Sequence, residues 1–220
     1  LSGEDIAIIL LSSSLPLSVI PHVLLRLKIL KNFNMTIIRL ATSEDASQIQ
    51  AIYAPFCEHS PVTFETQAPT VVEMSQRISK FMQKFPWLVY EYNREVLGYV
   101  YAAPHHDRTA YQWSVNVSVY IHEKARRQGI GRNLYKCLFE LLKTQGFYNA
   151  YAGITQPNQP SMNLHRSLGF QEVGIYRNVG YKCGSWHDVI WLELPLQEHR
   201  ENPQTPIAIR EIPSDRILQQ

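Results

Sequence analysis

The chain has 220 residues, 45% hydrophobic and 18% charged, which is ample apolar material for a globular core and excludes wholesale disorder. Lys and Arg number 21 against 19 Asp and Glu; a net charge of +2 excludes a basic nucleic-acid-binding surface as the main purpose of the chain. Three cysteines, Cys57, Cys137 and Cys183, are odd in number and scattered, which argues against a disulfide framework and for a reducing, cytoplasmic setting.

The chain opens on Leu1 and its first methionine is Met35. Residues 1–34 are expected to lie outside the functional domain. Leu15–Leu30 is mostly apolar, but Pro16, Pro21, His22, Arg26 and Lys28 interrupt it. A bilayer span needs about 20 predominantly apolar residues, so no membrane association is expected. Glu4 and Asp5 stand where a secretory leader carries basic residues.

From Met35 the pattern becomes regular. Thr36–Leu40 is a β-branched run and a first strand. Thr42 or Ser43 can cap a helix running through Cys57, and Thr70 a second helix over Val71–Lys84. Leu88–Tyr92, Val96–Ala103 and Tyr111–Ile121 read as three strands, with Asn93-Arg94 as the turn between the first two. In the third, Val115, Val117, Val119 and Ile121 alternate with Asn116, Ser118 and Tyr120. Ile130–Lys143 carries a helical stripe of Ile130, Leu134, Leu138 and Leu141, closed by Gly146. Asn149–Ile154 is a strand, Pro160–Leu168 a helix stopped by Gly169, and Phe170–Tyr176 and Val189–Leu194 the last two strands. The order β-α-α-β-β-β-α-β-α-β-β is a mixed α/β sheet, not an alternating doubly wound one. Gln197–Gln220 has three prolines and no apolar periodicity, and reads as a loosely attached tail. The expected organisation is an extension over 1–34, a domain over 35–197 and a tail over 198–220.

Between the long strand and its helix lies Arg126-Arg127-Gln128-Gly129-Ile130-Gly131-Arg132. Glycines at a strand-to-helix junction admit a ligand close to the backbone, and the helix start offers free N–H groups and the positive dipole end. With flanking arginines this is a pyrophosphate cradle. A P-loop would need Gly-Lys-Ser/Thr, which is absent, and a dinucleotide fingerprint a third glycine where Leu134 stands. Taken alone, the loop also fits a Gly-rich turn with a solvated basic rim.

The loop following Val119-Tyr120-Ile121 resembles the acetyl-CoA loop of the GNAT superfamily of N-acetyltransferases. The branch it most resembles comprises the phosphinothricin, arsinothricin and amino-acid N-acetyltransferases. The strings that carry the likeness are Ala54-Pro55, Val62-Thr63-Phe64-Glu65, Ala110-Tyr111, Ser118-Val119-Tyr120-Ile121 and Gly129-Ile130-Gly131. Asn158-x-x-Ser161, Leu164-His165-x-x-Leu168-Gly169-Phe170 and Trp186-His187-Asp188-Val189 extend it, so it spans Met35 to about Leu196. The resemblance implies a mixed, mostly antiparallel sheet of about seven strands with four helices, splayed at the acetyl-CoA site. It also implies acetyl transfer from acetyl-CoA to the free amine of a phosphinothricin-, methionine sulfoximine- or arsinothricin-like substrate. The transfer would be direct, in a ternary complex, with a role in detoxification or resistance. A homodimer is implied, with no nucleic-acid partner and no metal.

Residue by residue, the resemblance implies that the pantetheine arm pairs with the long strand around Val119, Tyr120 and Ile121. Arg126, Arg127, Gln128, Gly129, Ile130, Gly131 and Arg132 would hold the pyrophosphate. Asn158 and Ser167 match positions near the pantetheine or its sulfur, and Ser161 either joins them or caps the following helix. His165 matches a position that can protonate the leaving thiolate, or is a packed core histidine. Asn116 stands where close relatives usually carry a carboxylate base, and an amide cannot accept a proton at physiological pH. It can orient a water or the amine, with Glu65, His105 or His106 substituting as base. Arg108 and Tyr111 match positions that grip an acidic substrate, or are surface contacts. Phe64 and Glu65 match the wall of the amine pocket. Trp186, His187 and Asp188, ahead of the last strand, either line the substrate mouth or cover the sheet edge.

Adjacent side chains at His105-His106-Asp107 diverge, and Cys183 with His187 offers two ligands at best, so no metal site is expected. Cys57 and Cys137 on helix faces read as buried small apolar residues rather than nucleophiles. Two alternatives remain: an acetyltransferase for another amine, such as a protein N-terminus or polyamine, and a non-catalytic acyl-CoA-binding module suggested by Asn116.

Overall fold

The computed structural model describes residues 36–213. The expected extension over 1–34 and the last residues of the tail lie outside the described residues. Seven strands form one sheet: β1 (Thr36–Leu40), β2 (Trp87–Tyr92), β3 (Glu95–Pro104), β4 (Ser114–Ile121), β5 (Asn149–Thr155), β6 (Gln171–Lys182) and β7 (Ser185–Pro195). Among the described residues there are four α-helices, α1 (Ala46–His59), α2 (Val71–Phe81), α3 (Ile130–Gln145) and α4 (Gln159–Ser167). The sheet order is β1-β2-β3-β4-β5-β7-β6. Every neighbouring pair is antiparallel except β4 with β5. The mixed, mostly antiparallel sheet and the element order expected from the sequence are both found.

Each face of the sheet buries its own core, as period-two patterning dictates. Leu88, Val100, Val115 and Val117 pack on one side against Leu134, Tyr135 and Leu138 of α3. Trp87, Val89 and Tyr99 pack on the other against Ile49 and Ile52 of α1 and Met74 and Ile78 of α2. At Thr70 the side chain accepts from Glu73 N, and the Glu73 carboxylate accepts from Thr70 N at 2.7 Å, a reciprocal cap that starts α2. Arg39 ties β1 to the start of α1 with a two-pronged contact to Asp45, 2.8 and 2.7 Å, and a third hydrogen bond to Glu91. Burial resists ionisation of Asp45, but Arg39 and the Thr42 amide outweigh it and hold the carboxyl below its ordinary range.

The structure corrects two expectations. Residues 206–212 are not loosely attached: Ile209 is 1% and Ile212 5% exposed, both in the core under α3. The Gln145 amide donates to Lys84 O and Ile207 O, clamping the segment down. The last hairpin is also longer than expected. β6 runs six residues past Tyr176, and Trp186, His187 and Asp188 lie inside β7 rather than ahead of the strand, Trp186 opposite Tyr181 and His187 opposite Gly180. The Arg177-Asn178 stretch hides this, because Asn178 takes a φ of +47° in a bulge whose amide donates to Asp188 Oδ1 at 2.7 Å.

Candidate active site

The site begins where two strands part. The parallel ladder between β4 and β5 runs over only three pairs, Ser114↔Asn149, Val115↔Ala150 and Asn116↔Tyr151. β5 continues alongside β7 as far as Thr155, and β4 alongside β3 as far as Ile121. The β4 edge over Val117–Ile121 therefore faces a fork, with backbone groups able to pair with an extended, amide-bearing ligand.

The N-terminus of α3 sits at the open end of that fork. Gly129 precedes the helix at φ +80°, a left-handed conformation that favours glycine, and a Cβ there would meet nothing within 4 Å. Arg127 is also left-handed, at φ +61°. The two turns together aim the first N–H groups of α3 outward beside three arginine side chains, an arrangement suited to a polyanion.

Fork and helix end enclose a cleft of about 700 Å³. It is lined by Val119, Tyr120 and Ile121 from β4, by Arg126, Arg127, Gly129, Ile130, Gly131 and Arg132, and by Asn158, Ser161 and Ser167 from α4. Twelve of the thirteen residues expected at the acyl carrier are thereby brought together. Gln128 is the exception; its side chain turns back to donate to Lys124 O at 3.2 Å. Phe56 and Val62 also line the cleft and were missed by sequence reasoning. Arg126 lies over the Phe56 ring at 5.4 Å, which no local motif announces.

The hydrogen bonds of α4 fix the roles open to its residues. Asn158, not Ser161, is the cap, accepting from Ser161 N at 3.2 Å. Ser167 Oγ donates to Leu164 O at 2.7 Å. His165 does not line the cleft. It is 3% exposed, between the rings of Tyr135 and Phe170. Its Nδ1 lies 2.8 Å from Ser161 O, a pure acceptor, so Nδ1 carries the hydrogen and Nε2 accepts from Tyr135 Oη at 3.0 Å. Burial pushes this imidazole below its ordinary pKa, only partly opposed by the Ser161 carbonyl. His165 thus has both ring nitrogens engaged within the core, by Ser161 O and Tyr135 Oη, and neither faces the cleft.

The amine-side residues fall into separate groups. Glu65 lines a second cavity of about 320 Å³ with Tyr53, Arg77, Trp87 and Tyr101. Its carboxylate accepts from both terminal nitrogens of Arg77, at 2.7 and 2.9 Å, and from Tyr53 Oη at 3.0 Å, so its oxygens are committed to structure. Phe64 packs on Gly180 of β6, where a Cβ would collide with its ring. The loop bearing both is pinned by Lys182, another residue sequence reasoning missed. Lys182 is 7% exposed, and its ammonium donates to Phe56 O, Thr63 O and Glu65 O at 3.2, 2.7 and 2.7 Å. Arg108 and Tyr111 lie on the exposed loop before β4, outside the cleft, with the Tyr111 ring 4.8 Å from that of His106. Trp186 is 61% exposed, with its ring 5.4 Å from that of Tyr181.

At the vertex of the fork, Asn116 Nδ2 lies 3.4 Å from Pro104 O and Asn116 Oδ1 lies 2.9 Å from His105 Nδ1. His105 stacks on Tyr151, the β5 residue paired with Asn116, with ring centroids 4.3 Å apart. Among the described residues no group of three or more His, Cys, Asp or Glu side chains could hold a metal ion. Among them, too, no helix is long and apolar enough to cross a membrane.

The family model for the acetyltransferase (GNAT) domain matches residues 38–191. The chain belongs to the GNAT acetyltransferase family. Phosphinothricin N-acetyltransferase of Streptomyces viridochromogenes is 38% identical over 174 residues, covering 77% of this chain and 95% of that protein. The L-methionine sulfoximine/L-methionine sulfone acetyltransferase of Salmonella typhimurium is 30% identical over 166 residues, 74% of this chain and 95% of that one. A GNAT superfamily phosphinothricin acetyltransferase from Sinorhizobium meliloti, solved in complex with acetyl-CoA, superposes with a TM-score of 0.74 at 31% identity, over 78% of this chain and 95% of its own. The parted β4 and β5 and the arginine-flanked start of α3 border one and the same cleft.

Proposed function

We propose that this chain transfers acetyl from acetyl-CoA directly to the α-amine of a small acidic amino-acid analogue of the phosphinothricin or methionine sulfoximine type. The observation that carries the reading is the fork at Asn116 opening onto the start of α3. It offers an unpaired strand edge for an amide-rich arm and an arginine-flanked anion cradle for a pyrophosphate, a donor set that fits acetyl-CoA. When bound, acetyl-CoA supplies a thioester carbonyl open to attack by an amine. Val119 and Ile121 hold the arm in register, Arg126, Arg127, Gly129, Ile130, Gly131 and Arg132 hold the diphosphate, and Asn158, Ser161 and Ser167 wall the sulfur end. β4 N–H groups near Val119 stabilise developing negative charge on the carbonyl oxygen.

Direct transfer in a ternary complex is supported by the chemistry of the lining. Among the described residues no cysteine lines the cleft. Cys57 and Cys137 both have their thiols pushed up by burial, which disfavours a nucleophilic thiolate. Ser161 Oγ lies 3.3 Å from His165 Nδ1, but that nitrogen already carries its hydrogen toward Ser161 O and cannot take one from the hydroxyl. Arg108, with Tyr111 beside it, grips the acid group of the substrate, and Phe64 and the Glu65 loop bound its side chain. Asn116 serves as an orienting amide.

The active form is a homodimer. Val173, Tyr176, Val179, Tyr181 and Trp186, each between 48% and 61% exposed, give edge strand β6 and its hairpin an apolar surface that a second copy covers. With three free cysteines and a small toxic amine as substrate, we assign the protein to the cytoplasm and to detoxification or resistance. Mass-spectrometric detection of N-acetyl-phosphinothricin or N-acetyl-methionine sulfoximine tests the reading. Acetylation of either supports it, and acetyl-CoA binding with neither product contradicts it.

A further inference from the structure

We infer that His105 is the general base of this enzyme and that Asn116 is the residue that positions it. The inference rests on the acetyltransferase reading above and names the group that takes the proton from the amine.

The hydrogen bonds fix the state of the ring. Pro104 O can only accept, so the Asn116 side chain presents Nδ2 to it, at 3.4 Å. That orientation turns Asn116 Oδ1 toward His105 Nδ1, at 2.9 Å. An amide oxygen is also only an acceptor, so Nδ1 must carry the hydrogen. In the neutral ring the lone pair then resides on Nε2. This is how a third group orients the base in catalytic triads, including those that use an asparagine.

Position agrees with the chemistry. β3 ends at Pro104, opposite Val115, so His105 follows directly at the vertex of the fork. Asn116 and Tyr151 form the last rung of the β4–β5 ladder, and the imidazole is bonded to the first and stacked on the second. An acyl group delivered along β4 from the α3 end is directed toward this rung. The half-buried imidazole is held by His106 and Tyr111, with rings at 5.3 and 5.9 Å, by Tyr151 from β5, and by Trp191 from β7 at 6.2 Å. The titratable or charged groups around it are thus His106, Tyr111 and Tyr151, with Asp107 and Arg108 on its own loop and Glu193 opposite Tyr151 on β7.

Three other candidates are spoken for. Asn116 has no basic lone pair. Glu65 is held by Arg77 and Tyr53, and His165 is enclosed in the core. The amide at 116 and the imidazole at 105 thus act as one device, with the proton acceptor one residue beyond the end of β3 rather than on β4.

The balance is simple. A substrate ammonium loses two protons on becoming an amide. His105 Nε2 takes one and passes it to solvent. The amine nitrogen then forms the N–C bond to the thioester carbon, the C–S bond breaks, and the second proton goes to the departing sulfur to give the free thiol of coenzyme A.

The test compares the full-length wild type with His105→Gln, Asn116→Ala and Asn116→Asp, following thiol release from acetyl-CoA with phosphinothricin between pH 6 and 9. His105→Gln is expected to lower kcat/KM by about 10²–10⁴, to leave acetyl-CoA affinity within about twofold, and to recover with rising pH as the amine deprotonates itself. Asn116→Ala is expected to lose about tenfold or more, the cost of an unfixed tautomer. Asn116→Asp is expected to keep most of the rate, because its oxygen still accepts from Nδ1, and to move the acid limb of the profile to higher pH, because a carboxylate stabilises the imidazolium. A His105→Gln variant with wild-type rate and pH profile overturns the assignment while leaving the acetyltransferase reading intact. A wild type that turns over no amine overturns both. Nitrogen-15 spectra of the wild type supply a readout that needs no turnover: the neutral His105 ring protonated at Nδ1 supports the assignment, and one protonated at Nε2 overturns it.

Discussion

Gly129→Ala separates the demands of the ligand from those of the backbone. Gly129 has a φ of +80°, and a Cβ there meets nothing within 4 Å. The substitution therefore introduces backbone strain but no steric clash, about 1–2 kcal/mol for a left-handed non-glycine residue. For a domain of this size each kcal/mol corresponds to about 2–4 °C in Tm. The hairpin turn between β6 and β7 supplies a matched control, since Gly184 has a φ of +79° and also meets nothing within 4 Å. Gly184→Ala should cost the same stability. The two should part on acetyl-CoA. At position 129 the methyl occupies the space through which a pyrophosphate oxygen approaches the N–H groups of α3. Loss of one charge-assisted hydrogen bond, about 1.5–3 kcal/mol, raises Kd by roughly 10- to 150-fold. Calorimetric titration of acetyl-CoA with thermal unfolding of both variants reads the two quantities separately. Equal Kd values for the two variants would refute the cradle.

Three further outcomes follow from the geometry. Lys182→Met leaves three carbonyls without their ammonium donor; we expect a loss of about 2–3 kcal/mol, faster hydrogen exchange at residues 56–65, and a raised acetyl-CoA KM because Phe56 and Val62 line the cleft. The His165 imidazole is held below its ordinary pKa, so below about pH 6.5 the unfolded chain binds the extra proton first; stability from urea unfolding should be level above that pH and fall as pH drops toward the folded value, by at most about 1.4 kcal/mol per pH unit, with the contribution absent in His165→Asn. Val179→Asp places a charge on the apolar surface of β6 and should convert the dimer to a monomer in analytical ultracentrifugation; a monomeric wild type would contradict the proposed assembly.

Much of this molecule can be read from local pattern. Alternating valines marked β4, the stripe from Ile130 to Leu141 marked α3, and the glycines with their arginines marked the cleft, because each signal lies within one element. What escaped depends on distant partners. Lys182 looks like an ordinary surface lysine at a strand end, and only the packing of β6 against α1 and the loop after it delivers three carbonyls to it. Glu65 reads as a base until Arg77, twelve residues on, takes both its oxygens. Ile209 and Ile212 sit in a proline-rich segment without periodicity, and the carboxamide of Gln145, on α3, is what holds that segment down. The 178-to-182 stretch of β6 carries a left-handed asparagine and a glycine, which dilute the strand signal. Asn116 is legible as a polar residue on an otherwise alternating strand, but its contact with His105 depends on the close of β3 against β4.

The most direct test of the central claim is thiol release from acetyl-CoA by the purified protein, run against phosphinothricin, methionine sulfoximine, arsinothricin and ordinary amino acids from pH 6.5 to 9. The account predicts turnover with at least one acidic amino-acid analogue, dependent on its free α-amine. Tight acetyl-CoA binding with no thiol released above background on any of these amines would contradict it.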